Sequence, residues 1–489
     1  MVQQNRRQFL QESMLATTAA LSSAAPVVAA EETSQQSVGP QEKLAVAVLG
    51  IHGQGTVHCD SFVNNPHTEI RYIVDPDQQL GLAQAAAVGE RQGRQPEFVT
   101  DMRRAFDDPA LDIVSIATPN HWHALAGIWA MQAGKDVYVE KPCSHYPREG
   151  RSLVAAARKY GRICQHGTQG RTHTGIRQAI DYLHSGQLGE VKLARGLCYD
   201  QRDSVGPAGN HQVPSHIDYS LWCGPAPQRA VTRRQFHYDW HWQWDYGNGN
   251  LGNQGIHQMD IARWGLGVDC ISQGVIGYGG RWGYSDCGQT PNTIVVVHDY
   301  GSKTLVFEVR GLQTNSYRRA GVGVIFEASD GYLVNTSATQ ATAFDRDGQV
   351  IKRFGGGDRG HQLHFDNFVD AVLSRRMGDL HAEIAEGHAS SALCHLGNIS
   401  YRLGDLVSTA EALERLDSVS GSEEVRMTFD RTRKHLEANQ VNLAKTRMRM
   451  GTWLKFDPDR EIFIDNPEAE TFLARSDRQG FVVPAPDQV

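Results

Sequence analysis

The sequence predicts an α/β protein: an N-terminal Rossmann doubly wound parallel sheet, then a C-terminal α/β domain with a mostly antiparallel open sheet. Three observations carry this. Short, largely apolar strand-like runs alternate with helix-like stretches from Leu44 to about Gln165. A glycine-rich turn, Gly50-Ile51-His52-Gly53-Gln54-Gly55, follows the first run directly. Beyond Gln165 the strand-like segments crowd together and are joined by hairpin-like turns.

The first-domain strands are expected at Leu44–Leu49, Ile70–Val74, Ile113–Ala117 and Val137–Val139. Such apolar runs suit a parallel sheet buried on both faces. Helix-like stretches between and after them include His121–Ala133 and Arg148–Tyr160. In the second domain, strands are expected at Glu190–Tyr199, Ile271–Tyr278, Thr293–Tyr300, Thr304–Val309, Val322–Glu327 and Tyr332–Asn335. Tyr300-Gly301-Ser302 and Ser329-Asp330-Gly331 read as turns. From His361 to about Leu416 the pattern is helical again. The end of the chain, from Asn466, carries Pro467, Pro484 and Pro486 and reads as a surface extension.

The expected division is therefore a signal at 1–30, a linker at 31–43 and a Rossmann domain at 44–165. A second domain at 166–416 and a helical and extended tail at 417–489 follow. Arg6-Arg7-Gln8-Phe9-Leu10 resembles a twin-arginine export signal. An apolar, small-residue stretch and Val28-Ala29-Ala30 follow it. The expectation is a periplasmic or otherwise exported protein with no stable membrane insertion. A net charge of −7 gives no pull toward nucleic acid. None of the 8 cysteines forms a C-x-x-C pair. Export through the twin-arginine route follows folding in the cytoplasm, so buried free thiols are the simpler reading.

The glycine turn after the first strand would bring backbone amides and a helix N-terminus to a pyrophosphate. Its spacing departs from G-x-G-x-x-G, with His52 at the middle glycine's place and glycine at Gly53. Asp75 ends the second strand, where an acid would take the ribose hydroxyls. Pro76 and Asp77 follow, with no Arg or Lys for a 2′-phosphate. The cofactor expected is NAD.

Thr118-Pro119-Asn120-His121-Trp122-His123 and Glu140-Lys141-Pro142 each follow an apolar strand. The run from Gly247 through Gly255 to His257 and Asp260 completes a set that resembles the Gfo/Idh/MocA family of oxidoreductases. The aromatic lead-in Trp240 to Tyr246 is similar to an exported branch of it. The resemblance spans about Leu44 to Arg402. It implies Lys141 at the nicotinamide edge, Thr118, Asn120 and His123 along the cofactor, and His257 across the substrate. The family's first aspartate falls on Asn253 here, and an amide takes up no proton. The resemblance also implies a homo-oligomer meeting through open sheet faces.

The expected cofactor set is Gly50, His52, Gly53, Gln54, Gly55, Asp75, Thr118, Pro119, Asn120, His123, Glu140 and Lys141. The expected catalytic pair is Lys141 and His257. Oxidising a secondary alcohol moves a hydride to the nicotinamide and needs a base near the hydroxyl. His257 is the preferred base and Lys141 the electrostatic partner, with Lys141 as base the alternative. Arg171, Tyr199, His241, Trp242, Asn253 and His257 are the candidate substrate residues. The alternating aromatics from Trp240 to Tyr246 read equally as a strand face or as a platform for a sugar ring. His237, His241 and His257 lack a compact ligand motif, so no metal is expected. The expected activity is NAD-dependent oxidation or reduction of a sugar carbon. Two alternatives stand beside it. One is glycoside cleavage with a tightly bound, recycled NAD. The other is a non-catalytic sugar-binding protein.

Overall fold

The computed structural model describes residues 43–356, 360–419 and 423–489. The export signal, and the linker apart from Lys43, lie outside the described residues.

The first domain runs β1 (Leu44–Leu49), α1 (Gln54–Asn64), β2 (Thr68–Val74), α2 (Gln78–Gln92), β3 (Glu97–Val99), α3 (Met102–Phe106), β4 (Ile113–Ile116), α4 (Asn120–Gln132), β5 (Asp136–Val139), α5 (Pro147–Lys159) and β6 (Cys164–His166). The six strands form one parallel sheet in the order β3-β2-β1-β4-β5-β6. The order reverses between β1 and β4. Ligands of such sheets bind in the crevice at that reversal, beyond the strands' carboxyl ends.

The chain continues through α6 (Thr174–His184), β7 (Val191–Cys198), α7 (Tyr219–Cys223), α8 (Ile256–Leu266), β8 (Gly274–Gly280), β9 (Thr293–Asp299), β10 (Thr304–Arg310), β11 (Val322–Ala328), β12 (Gly331–Asn335), β13 (Ala341–Asp345) and β14 (Val350–Phe354). After these come α9 (Gln362–Ser374), α10 (Ile384–Arg402), β15 (Asp405–Val407), α11 (Thr409–Val419), α12 (Glu423–Ala438), β16 (Met448–Met450), β17 (Leu454–Asp457) and β18 (Ile462–Ile464). The second sheet has 12 strands and is antiparallel except where β10 lies parallel to β7.

Alternation along these strands serves two faces. Val275, Val296, Leu305 and Phe307 point to the core under α6, α8 and α10. Ile276, Val295, Val297 and Val306 point the other way, where α11 and α12 cover them with Ala412, Leu416, Val425 and Phe429. The outer face of β8, β9 and β10 is thus packed within the chain itself.

Three boundaries differ from the expectation. Helix α9 belongs to the first domain's core, where Phe365, Phe368 and Val372 pack with Val46 and Val48. The tail is not separate, because β16 joins β15 to β8 within the large sheet. The C-terminal extension docks on the first domain through Phe481, Val483 and Val489. The two domains share faces, so hydrophobic periodicity read along the chain does not show which core each element enters.

The cysteines carry free thiols, and Cys59, Cys143, Cys164, Cys198, Cys223 and Cys394 are buried. Among the described residues no helix is long and apolar enough to cross a membrane.

Candidate active site

The turn after β1 is fixed by glycine. Gly50 has φ +75°, and a Cβ there would lie 2.7 Å from the Thr118 nitrogen. A Cβ on Gly55 would lie 1.8 Å from the Gly50 oxygen. The turns after β1 and β4 therefore press directly together at the sheet's reversal point. Gly53, with φ +59°, has open space above it. Helix α1 begins there with no acidic residue in its first turn and no side-chain cap. Its positive end is open to an anion.

Asp75 closes β2 and receives the N–H of Ile51 at 3.0 Å and of Asp77 at 2.9 Å. Burial pushes its carboxyl up to about 6. Beside the crevice, Thr118 Oγ1 is buried with no hydrogen-bond partner. Pro119 starts α4, and Asn120 donates to Asn248 at 2.9 Å.

The turn after β5 carries Glu140 and Lys141. The Glu140 carboxylate lies 3.3 Å from His58 Nε2 and accepts the Lys141 N–H at 3.2 Å. Burial raises its pKa, but the His58 hydrogen bond and the Lys141 charge outweigh that and hold it well below the usual carboxylate range. Lys141 is lowered by burial and by Arg202, against the charge of Glu140. Its ammonium donates to the Asn253 main-chain oxygen at 3.1 Å. Asn253 sits in a π-helical turn, Leu251–Gly255, immediately before α8. Such wide turns occur often at functional sites.

One cavity of about 280 Å³ joins these pieces. Gly50, His52, Gly53, Gln54, Asp75, Thr118, Pro119, Asn120, His123, Glu140, Lys141, His241 and Asn253 all border it. His123 borders it with both ring nitrogens engaged, at 2.6 Å from the Pro142 oxygen and 2.7 Å from the Thr118 oxygen. It ties the two turns together and has no nitrogen left for a ligand.

The cavity has a roof. Residues 199–250, between β7 and the π turn, cross over the sheet's carboxyl edge. Asp77 and Ile217 form an antiparallel bridge. Gln78 N donates to the His216 oxygen at 3.0 Å, and Asp218 N to the Pro76 oxygen at 3.0 Å. His237 Nε2 lies 3.0 Å from the Asp77 carboxylate, and its ring stacks on His52 with centroids 5.2 Å apart. On the other side His121 Nε2 lies 2.9 Å from the Trp222 oxygen, and Trp122 Nε1 donates to the Leu221 oxygen at 3.0 Å. Leu221, Trp222, His237, Tyr238 and Trp240 are the roof residues that face the cavity with His241.

Five expected site residues do not line the cavity. Gly55 packs against Gly50 and Ala117 and donates its N–H to the His52 oxygen at 3.3 Å. Arg171 is buried in an ion pair, its Nε 2.9 Å from Asp260, with Glu386 at 3.1 Å, and it braces α8 against α10. Tyr199 donates to Glu308 at 2.7 Å on the outer sheet face, beneath α12. Trp242 is buried in the roof with Arg202 over its ring. His257 does not border the cavity. Burial and the charge of Lys141 lower it to about 3, so the two groups are electrostatic neighbours.

The aromatic stretch is neither a strand nor a row of platforms. Asp239–Trp242 is a 3-10 turn, Trp240 reaches the cavity, and Trp244 packs outside under Arg402. Sequence reasoning missed Thr100, Asp101 and Met102, which line the cavity after the short strand β3. It also missed the roof, whose residues carry no spacing signal. Among the described residues no group of three or more His, Cys, Asp and Glu side chains is placed to hold a metal ion.

The buried, unpartnered Thr118 hydroxyl and the open cradle over Gly53 fit a dinucleotide. Asp75 and the glycine turn would hold its adenosine and pyrophosphate parts, and Lys141 stands at the far end. A parallel sheet of this order with this crevice defines a dinucleotide-binding domain of the Rossmann type. The family comparison agrees with that class. Residues 44–168 match the oxidoreductase family's NAD-binding Rossmann fold, and residues 204–425 match its C-terminal alpha/beta domain. The chain belongs to the Gfo/Idh/MocA family.

It is 26% identical over 182 residues to scyllo-inositol 2-dehydrogenase (NAD(+)) of Bacillus subtilis, covering 37% of this chain and 52% of that one. It is 27% identical over 168 residues to levoglucosan dehydrogenase of Pseudarthrobacter phenanthrenivorans, covering 34% of this chain and 36% of that one. The chain thus spans about half or less of each relative's length. A solved levoglucosan dehydrogenase, complexed with NADH and levoglucosan, shares the fold at TM-score 0.55 and 18% identity, over 72% of this chain and 95% of that one.

Proposed function

We propose that this protein transfers a hydride between a ring carbon of a sugar, or sugar derivative, and NAD. The single observation that carries this is the continuous cavity from Gly53 and Asp75 to Lys141 and Asn253. Cofactor-type groups occupy one end, and an ammonium, an imidazole and an aromatic ring occupy the other. When bound, NAD supplies the hydride acceptor. The chain's residues do the rest. Lys141 stabilises charge on the substrate oxygen as the carbon is oxidised. The roof excludes water from the reacting carbon. Purified protein should contain or bind NAD, and a panel of sugars and glycosides should reduce it. Loss of all nucleotide binding would overturn this reading.

The roof favours a second reading, in which NAD stays bound and is recycled while a glycoside is cleaved. A cofactor enclosed on both sides exchanges slowly, which suits export of an already folded and loaded protein. Product release from a glycoside without net NADH supports this reading, and net NADH production supports a dehydrogenase. The proposed location is the periplasm or beyond. Changing Arg6 and Arg7 to lysine should leave the protein in the cytoplasm, and unaltered export would remove that assignment.

A further inference from the structure

The residue expected as the base, His257, is half-buried beside Lys141, and a second imidazole, His241, lines the cavity itself. We propose that His241 is the proton acceptor when the substrate hydroxyl is oxidised. This rests on the hydride-transfer reading above and deepens it.

Position comes first. His241 borders the same cavity as Lys141 and Asn253. The second point is the state of its ring. Nδ1 lies 2.6 Å from the main-chain oxygen of Tyr238. A carbonyl only accepts, so Nδ1 carries the hydrogen and Nε2 carries the lone pair. Among the described residues no hydrogen bond engages that Nε2. The third point is rigidity. The ring stacks on Trp240 with centroids 3.7 Å apart, within the 3-10 turn Asp239–Trp242. A preset base of this kind loses little freedom when substrate arrives.

Burial, together with the charges of Lys141 and Arg202, lowers His241 to about 3 against the Tyr238 hydrogen bond. It is neutral at physiological pH and ready to accept. A weak base suffices, because a hydroxyl whose carbon is losing a hydride becomes a far stronger acid than imidazolium. The step balances. The C–H bond breaks and its two electrons leave with hydrogen to the nicotinamide of NAD, which is reduced. The O–H bond breaks and its proton goes to Nε2. The carbon–oxygen single bond becomes a carbonyl. Lys141 remains protonated and holds the oxygen. Reversal of the same transfers returns the proton when a carbonyl is reduced.

The test uses the NAD-loaded protein and a sugar that reduces its nicotinamide in a single turnover. His241→Ala should slow that turnover by roughly 10²–10⁴-fold, with NAD affinity unchanged within a factor of about two. Imidazole added to the buffer should restore part of the rate by filling the vacated space. A readout independent of activity is carbethoxylation by diethylpyrocarbonate, mapped by mass spectrometry. His241 should be modified in the free protein and protected by NAD and sugar together. A wild-type rate in His241→Ala, or rescue by imidazole of His257→Ala alone, overturns the assignment. If the wild-type protein takes no hydride from any sugar, the functional reading fails first and the assignment falls with it.

Discussion

The Lys141 ammonium donates to the main-chain oxygen of Asn253 at 3.1 Å, joining the turn after β5 to the π turn before α8. This contact spans the two domains and sets one charged group beside the proposed substrate oxygen. Lys141→Ala removes one charge and one hydrogen bond at the cavity lining, outside the hydrophobic cores, so the fold should survive. Hydride transfer should fall by roughly 10²–10³-fold, the usual effect of losing one oxyanion-stabilising donor. Circular dichroism and single-turnover nicotinamide absorbance measure the two. Wild-type turnover would remove Lys141 from the mechanism.

Asp75 gives a pH signature. Its carboxyl is raised to about 6 by burial, so it ionises only as the pH rises through that value. Ribose hydroxyls donate to the ionised form. NAD affinity should therefore be full above about pH 7 and fall as the pH drops through about 6. Calorimetric titration across this range should show the midpoint, and Asp75→Asn should bind weakly with no midpoint there. A midpoint that persists in Asp75→Asn would place the titrating group elsewhere.

The roof predicts slow cofactor release. His237→Ala removes the 3.0 Å contact with Asp77 and the stack on His52. A hydrogen bond to a charged group contributes about 1.5 kcal/mol, so release of bound NAD should quicken about tenfold. A chase experiment followed by tryptophan fluorescence gives the rate. Unchanged release would show that the roof opens without breaking this contact.

The three glycines of the turn should differ in cost. Gly55→Ala and Gly50→Ala drive a Cβ into backbone at 1.8 Å and 2.7 Å. Both should destabilise by more than about 3 kcal/mol, since steric overlap adds to any backbone strain. Gly53→Ala meets open space and bears only its positive φ, about 1–3 kcal/mol. Thermal unfolding should rank them in that order. A Gly53 variant as damaged as the other two would contradict the geometry.

How much of this was legible depended on the kind of signal. Leu44–Leu49 reads as β1 because a wholly buried strand needs a continuous apolar run. Strand β3 has only three residues, Glu97–Val99, with an exposed first position, and no pattern marks it. The cavity residues next to glycine turns and strand ends, such as Gly53, Asp75 and Lys141, were readable from local chemistry. Arg171 and Tyr199 were not, because each is claimed by a carboxylate distant in sequence, Asp260 and Glu308. The roof was invisible for the same reason: its hold on Asp77 and His121 is a matter of tertiary contact.

The central claim is that a sugar carbon gives its hydride to NAD inside this cavity. The most direct measurement incubates the purified protein and NAD with a sugar or glycoside deuterated at its ring carbons, then weighs the nicotinamide by mass spectrometry. Deuterium on the nicotinamide ring, appearing roughly 10²–10³-fold more slowly in Lys141→Ala, is the result expected. Nicotinamide that stays unlabelled across the whole panel, with NAD bound in place and no glycoside cleaved, would contradict the account.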